Sequence, residues 1–213
     1  MKVSLIIPIH NLEQYIGKCL QSIIRQRYDK FQYEIIAVLD SCIDHSEEIV
    51  TTVLKRSGIA HTVLYTDCRS AGLARNAGLE AAKGKYIYFV DGDDYLIDLL
   101  ALKRMTEAIE SGEYNAVYMN KFESDQKAFD DDAIWRYFYT REIIGDTRFS
   151  DARINEDWEF TRTIGLCPKM KYHALCAWIF ICIGFILNAF IIPSRVLRKA
   201  RRSDREPRRR ART

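Results

Sequence analysis

The chain has 213 residues, of which 48% are hydrophobic, and this fits one domain with a sizeable core or one domain with a small appendage. The net charge of +3 hides an asymmetry, because residues 193–213 hold ten Arg or Lys against two acids and the rest of the chain is therefore acidic. The six cysteines form no CxxC pair and no His/Cys cluster with zinc spacing, which excludes a zinc framework and favours reduced thiols in a cytosolic setting.

Strands and helices alternate along the first part of the chain. Residues 1–11 hold a short apolar core without a small-residue cleavage site, which indicates a first strand rather than a signal peptide. Strands are predicted over 3–9, 33–40, 61–67 and 86–90, and the first of them is a continuous apolar run rich in β-branched residues. Helices are predicted over 12–26, 46–58 and 71–84, and the first of them has apolar residues near helical spacing. The alternation predicts an α/β fold with a doubly wound, mostly parallel sheet and helices on both faces.

The second predicted helix, over 46–58, has clear ends, with Ser46 as the expected N-cap, acids in its first turn and Gly58 closing it.

The later elements are less regular. Further along, the pattern predicts helices over 96–112, 133–144 and 155–165, with Asn155 capping the last of them, and a strand over 115–124.

Acidic residues follow the predicted strands. Asp40 ends the second strand, Asp67 the third and Asp91 the fourth, where the sequence reads YIYFVDGDDYL. In open α/β sheets ligands bind outside the carboxyl ends of the strands, so these acids are expected at one edge. Each acid alone could be an ordinary solvated turn residue. As a set, with an Asp-x-Asp spacing, they favour a Mg²⁺ or Mn²⁺ site that a diphosphate completes.

The ordered motifs resemble those of the family 2 glycosyltransferases, which have the GT-A fold. The resemblance covers roughly residues 1–165 and rests on VSLIIPIHNLEQYIGKCLQSI, LDSCIDHS, AGLARNAGLEAAKGKYIYFVDGDD and RFSDARINEDWEF. A lone Asp-x-Asp would be weak support, whereas the ordered set is specific. Two positions depart from the family pattern: His10 stands where Tyr is common and is expected to stack or pack, and Ser41 replaces a usual Gly.

The resemblance implies a donor site for a nucleotide sugar. Pro8 and Glu13 would lie beside the base, Asp40 would hydrogen-bond uracil or another base, and Asp91 would contact the ribose. Asp93 would hold a divalent cation, Mn²⁺ or Mg²⁺, that bridges the diphosphate. Asp94 would support the metal site, and Arg75 and Asn76 would line the nucleotide pocket.

The resemblance also implies that Asp157, in the pair Glu156-Asp157, is the catalytic base. An acceptor hydroxyl is a poor nucleophile until a carboxylate takes its proton, and a cation stabilises the departing diphosphate. Single displacement from the opposite face gives inversion. Without the resemblance, these acids would be interpreted as ordinary residues of a helix N-terminus, where the helix dipole favours negative charge. Trp158 and Phe160 are expected to be packing residues.

The end of the chain departs most from the family. Residues 174–192 are apolar except for Asn188 and are long enough for a membrane helix, followed by the basic tail. One spanning helix cannot keep both the domain and the tail inside, so a re-entrant or interfacial segment with the tail on anionic headgroups is expected. A truncated or aberrant end, or a helix packed on the domain, are the alternatives. Nothing beyond the Arg-rich tail favours nucleic acid.

These observations predict a glycosyltransferase domain over 1–170, a hydrophobic membrane-associated helix over 171–192 and a basic tail over 193–213. The expected enzyme is an inverting hexosyl- or N-acetylhexosaminyl-transferase. It would move a sugar from a UDP-sugar to a glycan or lipid-linked acceptor at the cytoplasmic face of the cell membrane, in bacterial surface polysaccharide synthesis. One rival is a member that binds nucleotide sugars but turns over weakly. The other rival is a nucleotidyltransferase, a class that usually has a Gly-rich phosphate loop just after its first strand. The corresponding stretch here, PIHNLEQYIG, has no such loop, which counts against this rival.

Overall fold

A computed structural model describes residues 1–112, 114–121, 134–152, 156–164 and 172–181. The strands in these residues are β1 (Val3–Ile9), β2 (Tyr33–Asp40), β3 (Ala60–Thr66), β4 (Tyr86–Phe89), β5 (Asp94–Leu96), β6 (Ala116–Lys121), β7 (Tyr137–Thr140) and β8 (Tyr172–Ile181). The helices are α1 (Ile16–Ile24), α2 (Ser46–Ser57), α3 (Ala71–Ala81), α4 (Ala101–Glu110), α5 (Arg141–Ile144) and α6 (Glu156–Thr163), and a 3₁₀ helix (Ile134–Arg136) precedes β7.

One eight-stranded sheet runs in the order β3-β2-β1-β4-β7-β6-β8-β5. Its first four strands are parallel, and Ile6 at the centre of β1 lies opposite Ile36 of β2 and Phe89 of β4. β7 then pairs antiparallel with both β4 and β6. The predicted parallel sheet is therefore confirmed for the N-terminal half, whereas the described sheet as a whole is mixed.

Helices cover both faces of the sheet, as predicted. On one face α1, α2 and α4 bury apolar residues such as Leu20, Leu54 and Met105 against the strands. On the other face α3 and α6 do the same with Leu79 and Phe160. Every residue of β2 is buried, which explains why its sequence is a continuous apolar run rather than an alternating one. This double cover leaves the carboxyl ends of the parallel strands as the open edge.

The capping predictions are confirmed in part. Gly58 follows α2 in the left-handed region, with φ of 69°, and closes the helix as predicted. Ser46 is the first helical residue rather than the N-cap, and its Oγ accepts a hydrogen bond from the Leu12 N–H at 2.8 Å. The Asp44 carboxylate, two residues earlier, accepts from the N–H of Ser46 at 3.0 Å and supplies the capping contact.

The helix predicted over 133–144 is wrong. The described part of this range forms the 3₁₀ helix, β7 and the short helix α5. β7 is the aromatic run YFYT, and Phe138 lies between the rings of Tyr86 and Tyr88 at centroid distances of 5.4 and 6.3 Å. Packing of these rings against β4 overrides the helical spacing, as expected for aromatic residues on a buried sheet.

The predicted C-terminal helix is also wrong where the structure describes it. Residues 172–181 form β8, which pairs parallel with β6 and antiparallel with β5. A short apolar run suits a strand as well as a helix, and β8 pairs along the edge of β6. Residues 182–192 and the basic tail lie outside the described residues. None of the helices that the structure describes combines the length and apolarity needed to cross a membrane.

Candidate active site

A cavity of about 430 Å³ opens at the carboxyl ends of β1, β2 and β4. Three groups of residues line it. From β1, β2 and the loop after β1 come Pro8, Ile9, His10, Leu12 and Asp40. From the start of α3 come Arg69, Ser70, Ala71, Ala74 and Arg75, and from the loop after β4 come Asp91, Gly92 and Asp93. Four of the residues predicted to bind the donor or its cation (Pro8, Asp40, Asp91 and Asp93) therefore share one cavity.

Asp40 is held by hydrogen bonds from the loop that enters α3. Its carboxylate accepts from the N–H groups of Cys68 at 2.8 Å and Ser70 at 3.0 Å, and from the Thr66 hydroxyl at 3.0 Å. Burial alone would raise the Asp40 pKa, but the hydrogen bonds from Cys68 and Thr66 outweigh it and lower the pKa below its ordinary value. Asp40 is thus a fixed, ionised acceptor at the cavity wall.

Three loops at this edge turn through left-handed residues that are not glycine. Asn11, Ser41 and Arg69 have φ of 54°, 51° and 50°, and each follows one of the strands β1, β2 and β3. Ser41, at the departure from the family pattern, adopts the conformation that a glycine would favour. Its hydroxyl donates to Asp67 at 2.6 Å, which ties the turns after β2 and β3 together. Backbone strain of this kind concentrates at functional sites.

Glu13 is not among the residues that line the cavity. Its carboxylate accepts from the His45 N–H at 3.0 Å, and its own N–H donates to Asp44 at 3.0 Å. This pair of contacts fixes the loop after β1 on the start of α2. His10 does line the cavity, and its Nδ1 lies 2.6 Å from the Asp40 carbonyl oxygen, to which the ring donates.

Asp91 and Asp93 form the acidic side of the cavity. Burial, with the Asp91 charge adding to it, raises the Asp93 pKa above its ordinary value. Between them, a Cβ on Gly92 would lie 2.6 Å from Leu12 Cδ1 and 3.2 Å from the Pro8 carbonyl oxygen, so glycine permits this tight approach to β1. Asp94, in β5, is buried and 3% exposed, which removes it from direct contact with a ligand in the cavity.

The acidic pair suits a divalent cation. Carboxylate oxygens are hard donors of the kind that Mg²⁺ and Mn²⁺ prefer, and a cation would relieve the repulsion between Asp91 and Asp93. Within the described residues no group of three or more His, Cys, Asp or Glu could hold a metal alone. A diphosphate would supply further oxygen ligands to a cation held by this pair.

Arg75 joins the donor side of the cavity to α6. Its Nη2 lies 2.9 Å from Asp91 Oδ1, and its Nη1 lies 2.9 Å from Asp157 Oδ1 and 3.4 Å from Glu156 Oε1. The side chain is only 5% exposed. Burial alone would lower the Arg75 pKa, but the three carboxylates outweigh it and raise the pKa. The predicted position of Arg75 in the pocket is confirmed, whereas its contacts with both Asp91 and Asp157 were not predicted from the sequence.

Asp157 lies in the first turn of α6 with 26% of its side chain exposed. Burial raises its pKa to about 6, Arg75 opposes the rise, and the charges of Asp91 and Glu156 add to it. A carboxylate with a pKa near neutrality accepts a proton more readily than an ordinary Asp and is still ionised at pH 7. The structure therefore brings a candidate base and the candidate donor pocket together through one arginine.

Asn76 points away from the cavity lining. Its amide donates to the Phe149 carbonyl and accepts from the Phe149 N–H, both at 2.9 Å. Phe149 in turn stacks on Phe160 with ring centroids 4.0 Å apart. Asn76 thus positions an aromatic wall rather than facing the cavity. The packing role predicted for Phe160 is confirmed, and Trp158, which is 42% exposed, packs its ring against the Arg162 guanidinium with 4.8 Å between Cζ and the ring centroid.

Two residues that line the cavity, Ser70 and Arg69, were not predicted from the sequence. Ser70 is the N-cap of α3, where its Oγ accepts from Leu73 N–H, and its own N–H holds Asp40. A serine directly before a helical pattern is a readable cap signal. Arg69 lines the cavity from a left-handed position that nothing in its residue type announces.

Comparisons with known proteins agree with this arrangement. The family model Glycosyl transferase family 2 matches residues 4–180. The glycosyltransferase EpsJ of Bacillus subtilis (strain 168) is 30% identical over 190 residues, which cover 74% of this chain and 54% of that protein. The poly(ribitol-phosphate) beta-N-acetylglucosaminyltransferase TarS of Staphylococcus aureus (strain Mu50 / ATCC 700699) is 34% identical over 96 residues, 45% of this chain and 17% of that one. The chain spans about half the length of EpsJ and a smaller part of TarS.

Solved structures show the same fold. TarS of S. aureus in complex with UDP superposes with a TM-score of 0.73 at 22% identity, covering 84% of this chain and 60% of that one. The mannosyltransferase PcManGT of Pyrobaculum calidifontis, in complex with GDP-Man and Mn²⁺, gives a TM-score of 0.70 at 17% identity, covering 83% of this chain and 56% of that one. The mixed sheet with its two helical layers is therefore a GT-A-like fold. Because the family match extends over most of its length, the chain belongs to glycosyltransferase family 2.

Proposed function

We propose that this protein is an inverting glycosyltransferase that transfers a sugar from a UDP-sugar to a hydroxyl of a glycan or lipid-linked acceptor. The observation that carries the proposal is the pair of 2.9 Å contacts through which Arg75 joins Asp91, in the cavity wall, to Asp157. A donor-binding wall and a near-neutral base at the two ends of one arginine are what a single displacement requires.

The donor would occupy the cavity at the strand ends. The ionised Asp40 would accept from the N–H of a pyrimidine base, with Pro8 beside the base and Asp91 at the ribose. UDP is the favoured nucleotide because S. aureus TarS has been solved with UDP and with UDP-GlcNAc. Among the relatives are a poly(ribitol-phosphate) glucosyltransferase and an N-acetylglucosaminyltransferase, so the transferred sugar is proposed to be glucose or GlcNAc.

Asp93, next to Asp91, would hold the divalent cation together with diphosphate oxygens. Bound there, Mn²⁺ or Mg²⁺ would neutralise the charge that develops on the leaving nucleoside diphosphate. Support comes from the hard oxygen donors of this pair and from the Mn²⁺ in PcManGT and the Mg²⁺ in the glucosyl-3-phosphoglycerate synthase of Mycobacterium tuberculosis. The protein's own part is to hold the carboxylates of Asp91 and Asp93 on the same side of the cavity despite their mutual repulsion.

Asp157 would take the proton of the acceptor hydroxyl. With a pKa of about 6 it is ionised at pH 7, and burial leaves it basic enough to accept a proton in the transition state. Its position on α6 places it on a different chain segment from the Asp-x-Asp turn, as attack from the opposite face of the sugar requires. Trp158, exposed beside it, would contact the acceptor.

The proposed setting is the cytoplasmic face of the cell membrane. The basic composition of residues 193–213 supports it, because anionic headgroups attract polybasic segments. Flotation of the full chain with vesicles containing anionic lipid, compared with vesicles of neutral lipid alone, tests the point. Equal recovery with both vesicle types would contradict it.

The transfer itself is tested with the purified full chain, Mn²⁺ and a panel of UDP-sugars, with GDP-mannose as the contrasting donor. Nucleotide release is recorded with poly(ribitol-phosphate), with crude lipid extract and without acceptor. Asp157→Asn is expected to keep UDP binding and to lose turnover, whereas Glu159→Gln on the same helix is expected to keep both. A wild-type protein that binds UDP but releases none from any donor with any acceptor would leave nucleotide-sugar binding without catalysis as the function.

A further inference from the structure

We propose that Arg75 is a positioning residue that aims the Asp157 carboxylate at the acceptor and makes that alignment depend on the donor-side Asp91. The inference rests on the proposed function, because it gives Arg75 a part in the same reaction. It goes beyond that proposal in assigning a mechanical link between the two halves of the site. Nothing in the roles of Asp91 and Asp157 taken separately requires such a link.

The two terminal nitrogens of the Arg75 guanidinium contact opposite halves of the site, Nη2 the donor side and Nη1 the side of α6. Arg75 projects from α3, Asp91 follows β4, and Asp157 lies in α6. Nη1 donates to Asp157 and Nη2 donates to Asp91, both at 2.9 Å, and both contacts are short, charge-assisted hydrogen bonds. Because a guanidinium is planar and rigid, a shift of Asp91 on one side is passed to Asp157 on the other.

The burial of Arg75 is costly for a purely structural arginine. The side chain is 5% exposed, and its buried Nε has no hydrogen-bond partner among the described residues. Buried ion networks with an unsatisfied donor add little to stability compared with a well-packed apolar side chain. Arg141 offers the contrast, since its Nε and Nη2 donate to the backbone carbonyls of Gly84 and Ala82 at 2.8 and 2.7 Å, and among the described residues it pairs with none of the carboxylates that Arg75 joins.

Removal of the Arg75 charge would leave Asp157 with burial and the charges of Asp91 and Glu156, which favour its protonated form, against the backbone hydrogen bond at Ile134, which favours the ionised form. The groups that act on Asp157 electrostatically are Arg75, Asp91 and Glu156, and the buried Tyr139 hydroxyl lies within the same field. Among these groups of the described residues, Arg75 is the cation that opposes the rise of the Asp157 pKa. A variant without it therefore keeps Asp157 protonated to higher pH and out of its orientation, so both the alignment and the availability of the base depend on Arg75.

The first test measures transfer kinetics for Arg75→Lys and Arg75→Gln in the full chain, with Arg141→Gln as the matched control. Arg75→Lys keeps the charge but cannot reach both carboxylates at once, so kcat is expected to fall about 100-fold, as for other misaligned catalytic groups. The donor KM is expected to change by less than about threefold. Arg141→Gln is expected to lower the melting temperature and leave kcat in place. A raised donor KM with kcat retained in Arg75→Lys, or an equal loss of kcat in Arg141→Gln, would overturn the inference.

The second test needs no turnover, so it separates a failure of this inference from a failure of the proposed function. The Asp157 carboxyl is titrated by ¹³C NMR in wild type, Arg75→Gln and Arg141→Gln, with its signal assigned by its disappearance in Asp157→Asn. The proton affinity of Asp157 is expected to rise about tenfold or more in Arg75→Gln and to stay unchanged in Arg141→Gln. An unchanged midpoint in Arg75→Gln would refute the link even if transfer is observed. If Arg75→Gln does not fold, the same comparison is made with Arg75→Lys, for which a smaller rise is expected.

Discussion

The Asp40 carboxylate accepts a hydrogen bond from the Ser70 backbone N–H at 3.0 Å, and this contact joins the carboxyl end of β2 to the N-cap of α3. Ser70 uses its own Oγ to cap α3 through the Leu73 N–H. One acidic residue therefore organises the loop that forms a wall of the cavity before any ligand arrives. Binding groups that are fixed in advance lower the ordering cost of association.

Asp40→Asn is expected to destabilise the protein by roughly 2 kcal/mol at pH 7 and to weaken UDP binding, because one amide oxygen cannot replace two carboxylate oxygens that accept from the Cys68 and Ser70 N–H groups and from the Thr66 hydroxyl. The folded-state pKa of Asp40 is lowered, so its contribution is present above the unfolded pKa and lost as pH falls through the folded pKa. The stability difference from wild type should therefore shrink below about pH 4. Urea unfolding at pH 7 and pH 3 measures this, with the exposed Asp67→Asn as control. Equal losses for both variants would contradict it.

Asp93→Ala is expected to abolish Mn²⁺-dependent UDP binding while leaving the fold intact. Asp93 lines the cavity beside Asp91, and burial together with the Asp91 charge raises its pKa, so removal of one carboxylate relieves repulsion rather than breaking a contact. Calorimetric titration of UDP with and without Mn²⁺ measures the loss. Asp146→Ala, in an exposed turn, is the matched control. If Asp93→Ala bound UDP with the same cation dependence as wild type, the metal site would lie elsewhere.

The N-terminal half of the fold was readable from the sequence because its signals are local. β1 and β2 are continuous apolar runs and match the predicted ranges 3–9 and 33–40, and the acids that follow the strands converge at one edge as parallel topology requires. The later strands were not readable in this way. β7 and β8 depend on partners far away in the chain, and an aromatic or apolar run alone does not distinguish a strand from a helix.

The residue types of the site could be predicted from the sequence, but the contacts between them could not. Strand-end carboxylates announce a charged pocket, and Asp157 follows from the resemblance of the motif around it. The contact between Arg75 and Asp157 joins α3 to α6 across 82 positions of the chain, and no local pattern encodes it. Asn76 shows the reverse case, because its position next to Arg75 suggested the pocket whereas helical geometry turns its amide toward Phe149.

Gly78→Ala is expected to destabilise the protein by about 1–3 kcal/mol, the usual cost of overpacking a core. A Cβ at Gly78 would overlap Ile6 Cγ2, so α3 would have to lift from the centre of β1. Gly17→Ala in α1 is the matched control, because its nearest neighbour, Ile49 Cγ2, is 3.5 Å away and the higher helix propensity of alanine should stabilise by about 0.5–1 kcal/mol. Thermal unfolding of both variants measures the contrast, and a change of the same sign in both would refute this account of α3 packing.

The Asp157 carboxyl should leave a pH signature in both activity and stability. Its pKa of about 6 lies above the ordinary value, so transfer should fall about tenfold for each pH unit below 6, where the base is protonated. The folded protein also holds this proton more tightly than the unfolded chain does. Between about pH 4 and pH 6 the folded state therefore carries more protons, and the Asp157 contribution to the free energy of unfolding decreases as pH rises.

The Asp157→Asn variant does not titrate at this position, so comparing its stability with that of wild type measures the sign of the Asp157 contribution. Relative to wild type, its free energy of unfolding should increase by roughly 2–3 kcal/mol between pH 4 and pH 7.5, because only wild type bears the cost of ionising this partly buried carboxyl. Urea unfolding of both proteins at four pH values across this window gives the difference directly. Glu159→Gln, on the same helix but exposed, should run parallel to wild type. If Asp157→Asn also ran parallel, the carboxyl would have an ordinary pKa and its suitability as the base would have to come from contacts made only with the acceptor bound.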